Sequence, residues 1–124
     1  MNWSDNMNRS ELVDYIQHNY GVDPETPWGK FPEYIVFRRR NNAKWFAVIM
    51  RISSNKLDTN KNEEMVNIVN LKAPPELIGS LRLKDDIYPA YHMNKEHWIT
   101  IKLPGSLTDS ELKELVEDSY KLTA

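Results

Sequence analysis

The residues in this 124-residue chain whose types reach beyond packing are three histidines, a run of three arginines and four tryptophans. His92 and His97 fall within residues 88–103, a stretch that reads as a β-hairpin broken by Met93, Asn94, Lys95 and Glu96. Imidazoles at that spacing can ligate a metal, exchange protons near neutral pH or hydrogen-bond to an anion. Arg38, Arg39 and Arg40, followed by Lys44, supply guanidinium and ammonium donors of the kind that hold phosphate oxygens. Trp98, beside His97, adds a flat ring suited either to stacking or to a core.

Absent motifs narrow this chemistry. The sequence has no glycine-rich phosphate loop, no Gly-x-Ser-x-Gly, no His-Glu-x-x-His and no carboxylate pair at catalytic spacing, so a non-enzymatic protein is expected. With no cysteine there is no disulfide, thiolate nucleophile or thiolate metal site. His92 and His97 could join Asp85, Asp86 or Glu96 in an imidazole and carboxylate site. A structural metal site wants four ligands, and none is supplied at helical spacing, so neither metal nor cofactor is assigned. The alternative for the two histidines is a pair that hydrogen-bonds and packs the hairpin.

The elements that must position these residues are legible from periodicity. Asn8 and Glu11 suit a helix start, and Leu12, Val13, Ile16 and Tyr20 recur at helical spacing until Gly21, giving a helix over residues 9–20 with His18 off the apolar stripe. Pro24, Pro27, Gly29 and Pro32 make the next stretch a loop, anchored by Trp28 and Phe31. Residues 34–39 and 44–52 are strand-like, joined at 40–43 where asparagine tolerates positive φ. Residues 53–64 are polar and aperiodic, a flexible connection, before a third strand over 65–72. Pro74 and Pro75 open a short helix ending near Leu83.

In the central hairpin, strands over 90–92 and 97–103 put His97, Ile99 and Ile101 on one face and Trp98, Thr100 and Lys102 on the other. Thr108 and Glu111 cap a final helix with Leu112, Leu115, Val116, Ser119 and Tyr120 on one side. This order predicts an α+β single domain over residues 1–124, with an antiparallel sheet of about five strands and three main helices.

Several of these stretches together resemble the MmcQ/YjbR family. They are the run from Pro89 to Trp98 (Pro-Ala-Tyr-His-Met-Asn-Lys-Glu-His-Trp), Glu-Leu-Val-Glu-Asp-Ser-Tyr ending at Tyr120, the Trp28-Gly29-Lys30-Phe31-Pro32 turn, Lys44-Trp45-Phe46-Ala47, and Asn70-Leu71-Lys72 followed by Pro74-Pro75-Glu76. The resemblance implies a frataxin-like, CyaY-like (double-wing) α+β arrangement and a DNA-binding role, and it places Lys72 and Asn94 at family positions.

Charge bears on that expectation. The formal net charge is −2, which argues against indiscriminate binding to nucleic acid. Within residues 30–61, however, eight basic residues meet two acidic ones, a surplus of six on an otherwise acidic chain. DNA binding is therefore expected to use Arg38, Arg39, Arg40, Lys44, Lys72, His92, Asn94, Lys95 and His97, with double-stranded DNA as the partner. Arginines at a hairpin turn also keep sheet edges soluble. A protein- or small-ligand-binding adaptor, using a crevice near Trp28, Trp45 and Trp98, stays open as the alternative. The longest apolar run, residues 45–50, is far short of a membrane span, and a cytoplasmic protein is expected.

Overall fold

The computed structural model describes residues 6–58 and 61–124. Helix α1, Arg9–Tyr20, starts where the sequence marks it. The Asn8 side chain accepts the Glu11 N–H at 2.9 Å, and the Glu11 carboxylate accepts the Asn8 N–H at 3.0 Å. It stops at Gly21, whose φ of 63° is the left-handed conformation that glycine adopts without a Cβ penalty. Strands β1 (Ile35–Arg38), β2 (Trp45–Ser53) and β3 (Met65–Lys72) follow, then α2 (Pro75–Leu81), β4 (Ile87–Pro89), β5 (Trp98–Leu103) and α3 (Asp109–Leu122). Thr108 and Glu111 cap α3 as Asn8 and Glu11 cap α1. The sheet is antiparallel throughout in the order β1-β2-β3-β5-β4, so the expected α+β class, five strands and three helices all hold. Among the described residues no helix is long and apolar enough to cross a membrane.

Alternation along the strands divides the apolar residues between two faces. Ile49, Val69, Leu71, Ile99 and Ile101 meet Leu12 and Ile16 of α1, Ile78 of α2 and Leu112 and Val116 of α3. Each such fully buried side chain contributes about 1.5–3 kcal/mol. The opposite face carries Val36, Val48, Met50, Ile52 and Ile68, covered by Trp28, Tyr34, Trp45, Leu57, Tyr91 and Met93 from loops and strand ends.

One irregularity sets which side chains reach which face. Phe37 pairs with Ala47 but Arg38 pairs with Trp45, so Phe46 is an extra residue in β2, a bulge. Phe46 and Ala47 therefore both point to the helices while Trp45 points away from them. The Ser119 hydroxyl of α3 accepts from Lys72 N–H at 2.9 Å and donates to the Phe46 carbonyl at 2.6 Å, joining β2 to β3 just past their last pair, Ala47 and Leu71.

The structure corrects three details of the sequence reading. In the β1–β2 turn positive φ falls on Ala43 (61°). Asn42 instead accepts from Lys44 N–H at 3.0 Å and donates to the Thr123 carbonyl at 2.8 Å, tying the turn to the end of α3. In the central hairpin the first strand is Ile87–Pro89 and not 90–92, because side chains of the sheet take up the backbone of Tyr91 and lift the chain off the ladder. The polar connection contains a 3-10 turn, Ser54–Lys56, in which Ser54 is buried and donates to the Asn62 carbonyl at 2.8 Å; residues 59 and 60 of that connection lie outside the described residues.

Candidate functional site

Antiparallel order places the end of β1, the start of β2, the end of β3, the end of β4 and the start of β5 at one end of the sheet. Arg38, the Arg39 to Lys44 turn, Lys72 and the 90–97 loop bearing His92, Asn94, Lys95 and His97 all belong to that end. The nine residues singled out from the sequence are thus gathered from three separate segments.

Their side chains are committed to different degrees. Arg39 donates from Nε and Nη2 to the Tyr120 carbonyl at 3.0 and 2.7 Å and from Nε to Thr123 Oγ1 at 3.1 Å, with its guanidinium 3.7 Å above the Tyr120 ring centroid. It satisfies a carbonyl in the last turn of α3 and complements the helix dipole, which makes it a structural cap. Arg38 forms an ion pair with Glu25 at 3.1 Å, with Nε–H out of line for a hydrogen bond, and lies 5.8 Å over the Trp45 ring. Arg40 is exposed and reaches the Gly21 carbonyl at 3.4 Å. Lys44, Lys95, His92 and His97 are exposed, and Lys72 is half-buried on the face opposite Leu71.

Asn94 has a local duty. Its side chain accepts from Glu96 N–H at 2.7 Å and its carbonyl from His97 and Trp98 N–H at 3.2 and 3.0 Å, so it shapes the loop that carries the cations. The two histidines are not cross-strand neighbours, since the β4–β5 ladder ends at Pro89 and Ile99 and both lie in the loop beyond it. His92 instead sits at φ 58° with its ring 4.0 Å from that of Tyr91.

Beside this end, on the face without helices, lies a crevice of about 460 Å³ lined by Trp28, Phe31, Tyr34, Trp45, Met50, Tyr91, His92 and Met93. It includes two of the three tryptophans expected there; Trp98 pairs with Lys72 in the β3–β5 ladder. Its far wall is fixed from the middle of the sheet. Asn70 and Thr100 are fully buried and hydrogen-bonded to each other through their side chains. Asn70 Nδ2 donates to the Tyr91 carbonyl at 3.1 Å, and Thr100 Oγ1 accepts from Tyr91 N–H at 2.8 Å. Burial, reinforced by neighbouring Tyr34, raises the Tyr91 hydroxyl above the ordinary phenol range.

Sequence reasoning missed Phe31, Tyr34, Met50, Tyr91 and Met93 as crevice residues. The available signal was Asn70, a lone polar residue among the apolar positions 68–71 of β3, whose amide had to bond something on the uncovered side.

Comparison with known proteins agrees with this architecture. YyaQ of Bacillus subtilis, described as an uncharacterized protein, is 38% identical over 117 residues, spanning 94% of this chain and 98% of its own. YjbR of Escherichia coli K12, also described as uncharacterized, is 38% identical over 78 residues, which is 62% of this chain and 66% of that protein. A crystal structure of a Pseudomonas syringae protein superposes with a TM-score of 0.92 at 50% identity, covering 95% of this chain and all of that one. A Deinococcus radiodurans crystal structure, at 24% identity and a TM-score of 0.71 over 97% of this chain and 80% of that chain, shares the fold. The YjbR family model matches residues 6–122, and the chain belongs to the YjbR family.

Proposed function

We propose that this chain is a non-enzymatic DNA-binding domain of the cytoplasm that holds phosphates at the cationic end of its sheet. Arg40, Lys44, Lys72 and Lys95 act as donors, and His92 and His97 assist them. The observation that carries this reading is the convergence of three sequence-distant cationic segments at one end, where the two hairpin tips can lie against a phosphate backbone as paired wings. A local positive field of that kind is compatible with a net charge of −2. Arg38 and Arg39 serve the fold around the site and are not counted as donors.

Duplex binding measured across salt concentrations tests the proposal, with an Arg40→Ala, Lys44→Ala, Lys95→Ala variant alongside. Removing three phosphate contacts lowers the slope of log K against log salt by roughly 2.7, at about 0.9 per contact. Binding undetectable at low salt, or a slope and affinity unchanged in the variant, sinks it. The second reading, a small-ligand or protein adaptor, is favoured by the aromatic crevice beside the same end.

A further inference from the structure

The crevice has features that a covered hydrophobic surface does not need. Trp28 meets Trp45 edge-to-face at 5.5 Å and 82°, and meets Tyr34 at 6.3 Å and 82°. Rings in such contacts leave faces available to a further ring. Phe31 stacks on Tyr34 at 4.9 Å yet stays 51% exposed, a large aromatic held at the mouth and not withdrawn into the core. Met50 and Met93 add adaptable, polarisable walls. The wall at Tyr91 and His92 is preset, because the buried Asn70 and Thr100 pair fixes the Tyr91 backbone and His92 holds a left-handed φ that non-glycine residues rarely adopt.

Charge identifies the occupant. The Arg38 guanidinium stands 5.8 Å over Trp45, and Lys72 faces the same side from the neighbouring strand, opposite Leu71 on the helix side. A flat ring seated against the tryptophans therefore has cations next to it. We propose that the crevice is a nucleotide site, in which an unpaired base stacks among Trp28, Trp45 and Tyr34 and its phosphate is held by Lys72, with the Glu25-paired Arg38 lying over the Trp45 ring. This deepens the DNA-binding reading and rests on it for the strand as source, since a base within a duplex is stacked on its neighbours and cannot enter. Free mononucleotide and an unpaired residue of a strand share the same chemistry.

The test follows the indole N–H resonances of Trp28 and Trp45 by NMR during titration with dTMP, thymidine, ribose 5-phosphate, a short oligo(dT) and a duplex. dTMP and oligo(dT) are expected to shift both resonances. Phe31→Ala, at an exposed position that the fold tolerates, is expected to weaken binding by about tenfold, and thymidine to bind about tenfold more weakly than dTMP. Tighter binding of oligo(dT) than of dTMP supports the site with a strand as source, whereas equal binding supports it with free nucleotide as source. Unmoved resonances at millimolar dTMP and oligo(dT), or unchanged affinity in Phe31→Ala, overturn the site. Equal binding of thymidine and dTMP overturns the phosphate assignment. Salt-dependent duplex binding with unmoved indoles overturns the crevice site and leaves the cationic end standing. Crevice binding with no duplex binding supports the nucleotide site and overturns the duplex reading.

Discussion

On one face of the sheet Phe37, Phe46 and Leu71 lie under helices, and on the other Val36, Val48 and Ile68 are equally inaccessible under Trp28, Tyr34, Trp45, Tyr91 and Met93. Helices seal by long apolar stripes that need no particular partner beyond shape. The loop side is tiled by single rings, each placed by its own contacts and by one buried polar pair. A surface assembled in that way keeps ring faces and edges at the solvent boundary, which is the condition for receiving something, while the helix side only has to hold. The same division appears in the arginine run, where Arg39 serves the helix side and Arg40 remains at the surface.

The largest effect that would break this contrast is at Phe46, fully buried beside Phe37, Tyr20 and Tyr120. Phe46→Ala should cost about 3–5 kcal/mol in a denaturant titration. A cost comparable to that of truncating Phe31 would show that the helix side is no better sealed than the loop side.

Two hydroxyls sharpen the comparison, because each accepts from a backbone N–H and donates to an oxygen on its own side. Ser119→Ala orphans Lys72 N–H and the Phe46 carbonyl, and Thr100→Val orphans Tyr91 N–H and the Asn70 side-chain oxygen. Both should lose about 1–3 kcal/mol of stability. Only Thr100→Val should also weaken nucleotide binding, since it alone releases the crevice wall; equal loss of binding in the two variants would erase the distinction.

Within the arginine run, Arg39→Ala should lower thermal stability by about 1 kcal/mol through the lost cap on α3. Arg40→Ala should stay within about 0.5 kcal/mol of the parent while losing duplex affinity. Reversed roles in a melting experiment would return Arg39 to the list of donors.

The smallest effect is confined to alkaline pH. Burial and the hydrogen bond from Tyr20 Oη to Glu117, at 2.6 Å, raise the Tyr20 phenol above its ordinary value near 10. A raised folded value means that the associated stability is fully present below about pH 10 and is lost as pH climbs above it. Tyr20→Phe should therefore flatten the alkaline fall in stability seen by circular dichroism. An identical alkaline limb in the variant would assign that fall elsewhere, Tyr88 and Tyr91 being the other phenols raised by burial.

The elements were legible because their signals are local. Asn8 with Glu11 and Thr108 with Glu111 mark helix starts through contacts three residues apart, and the β-branched residues Val66, Ile68 and Val69 mark the third strand without knowledge of partners. The nine candidate residues were named individually, but their division into caps and free cations was hidden, since Arg39 finds Tyr120 across 81 positions of sequence. The strand expected at residues 90–92 failed for the same reason. Apolar pattern favours a strand there, and what defeats it is a pair of side chains at positions 70 and 100.

The extra residue at Phe46 also acts as a phase shifter in the chain. Strand alternation assigns each side chain to a face by counting in twos, and one inserted residue reverses the count for everything on its N-terminal side. Trp45 and the turn leading to it thus follow one count while residues 47–53 follow the other. Ironing out the bulge with Phe46 kept in register would turn Trp45 inward and carry the crevice's wall to the wrong side of the sheet, whereas deleting Phe46 would remove its ring from the core and leave Trp45 facing away from the helices.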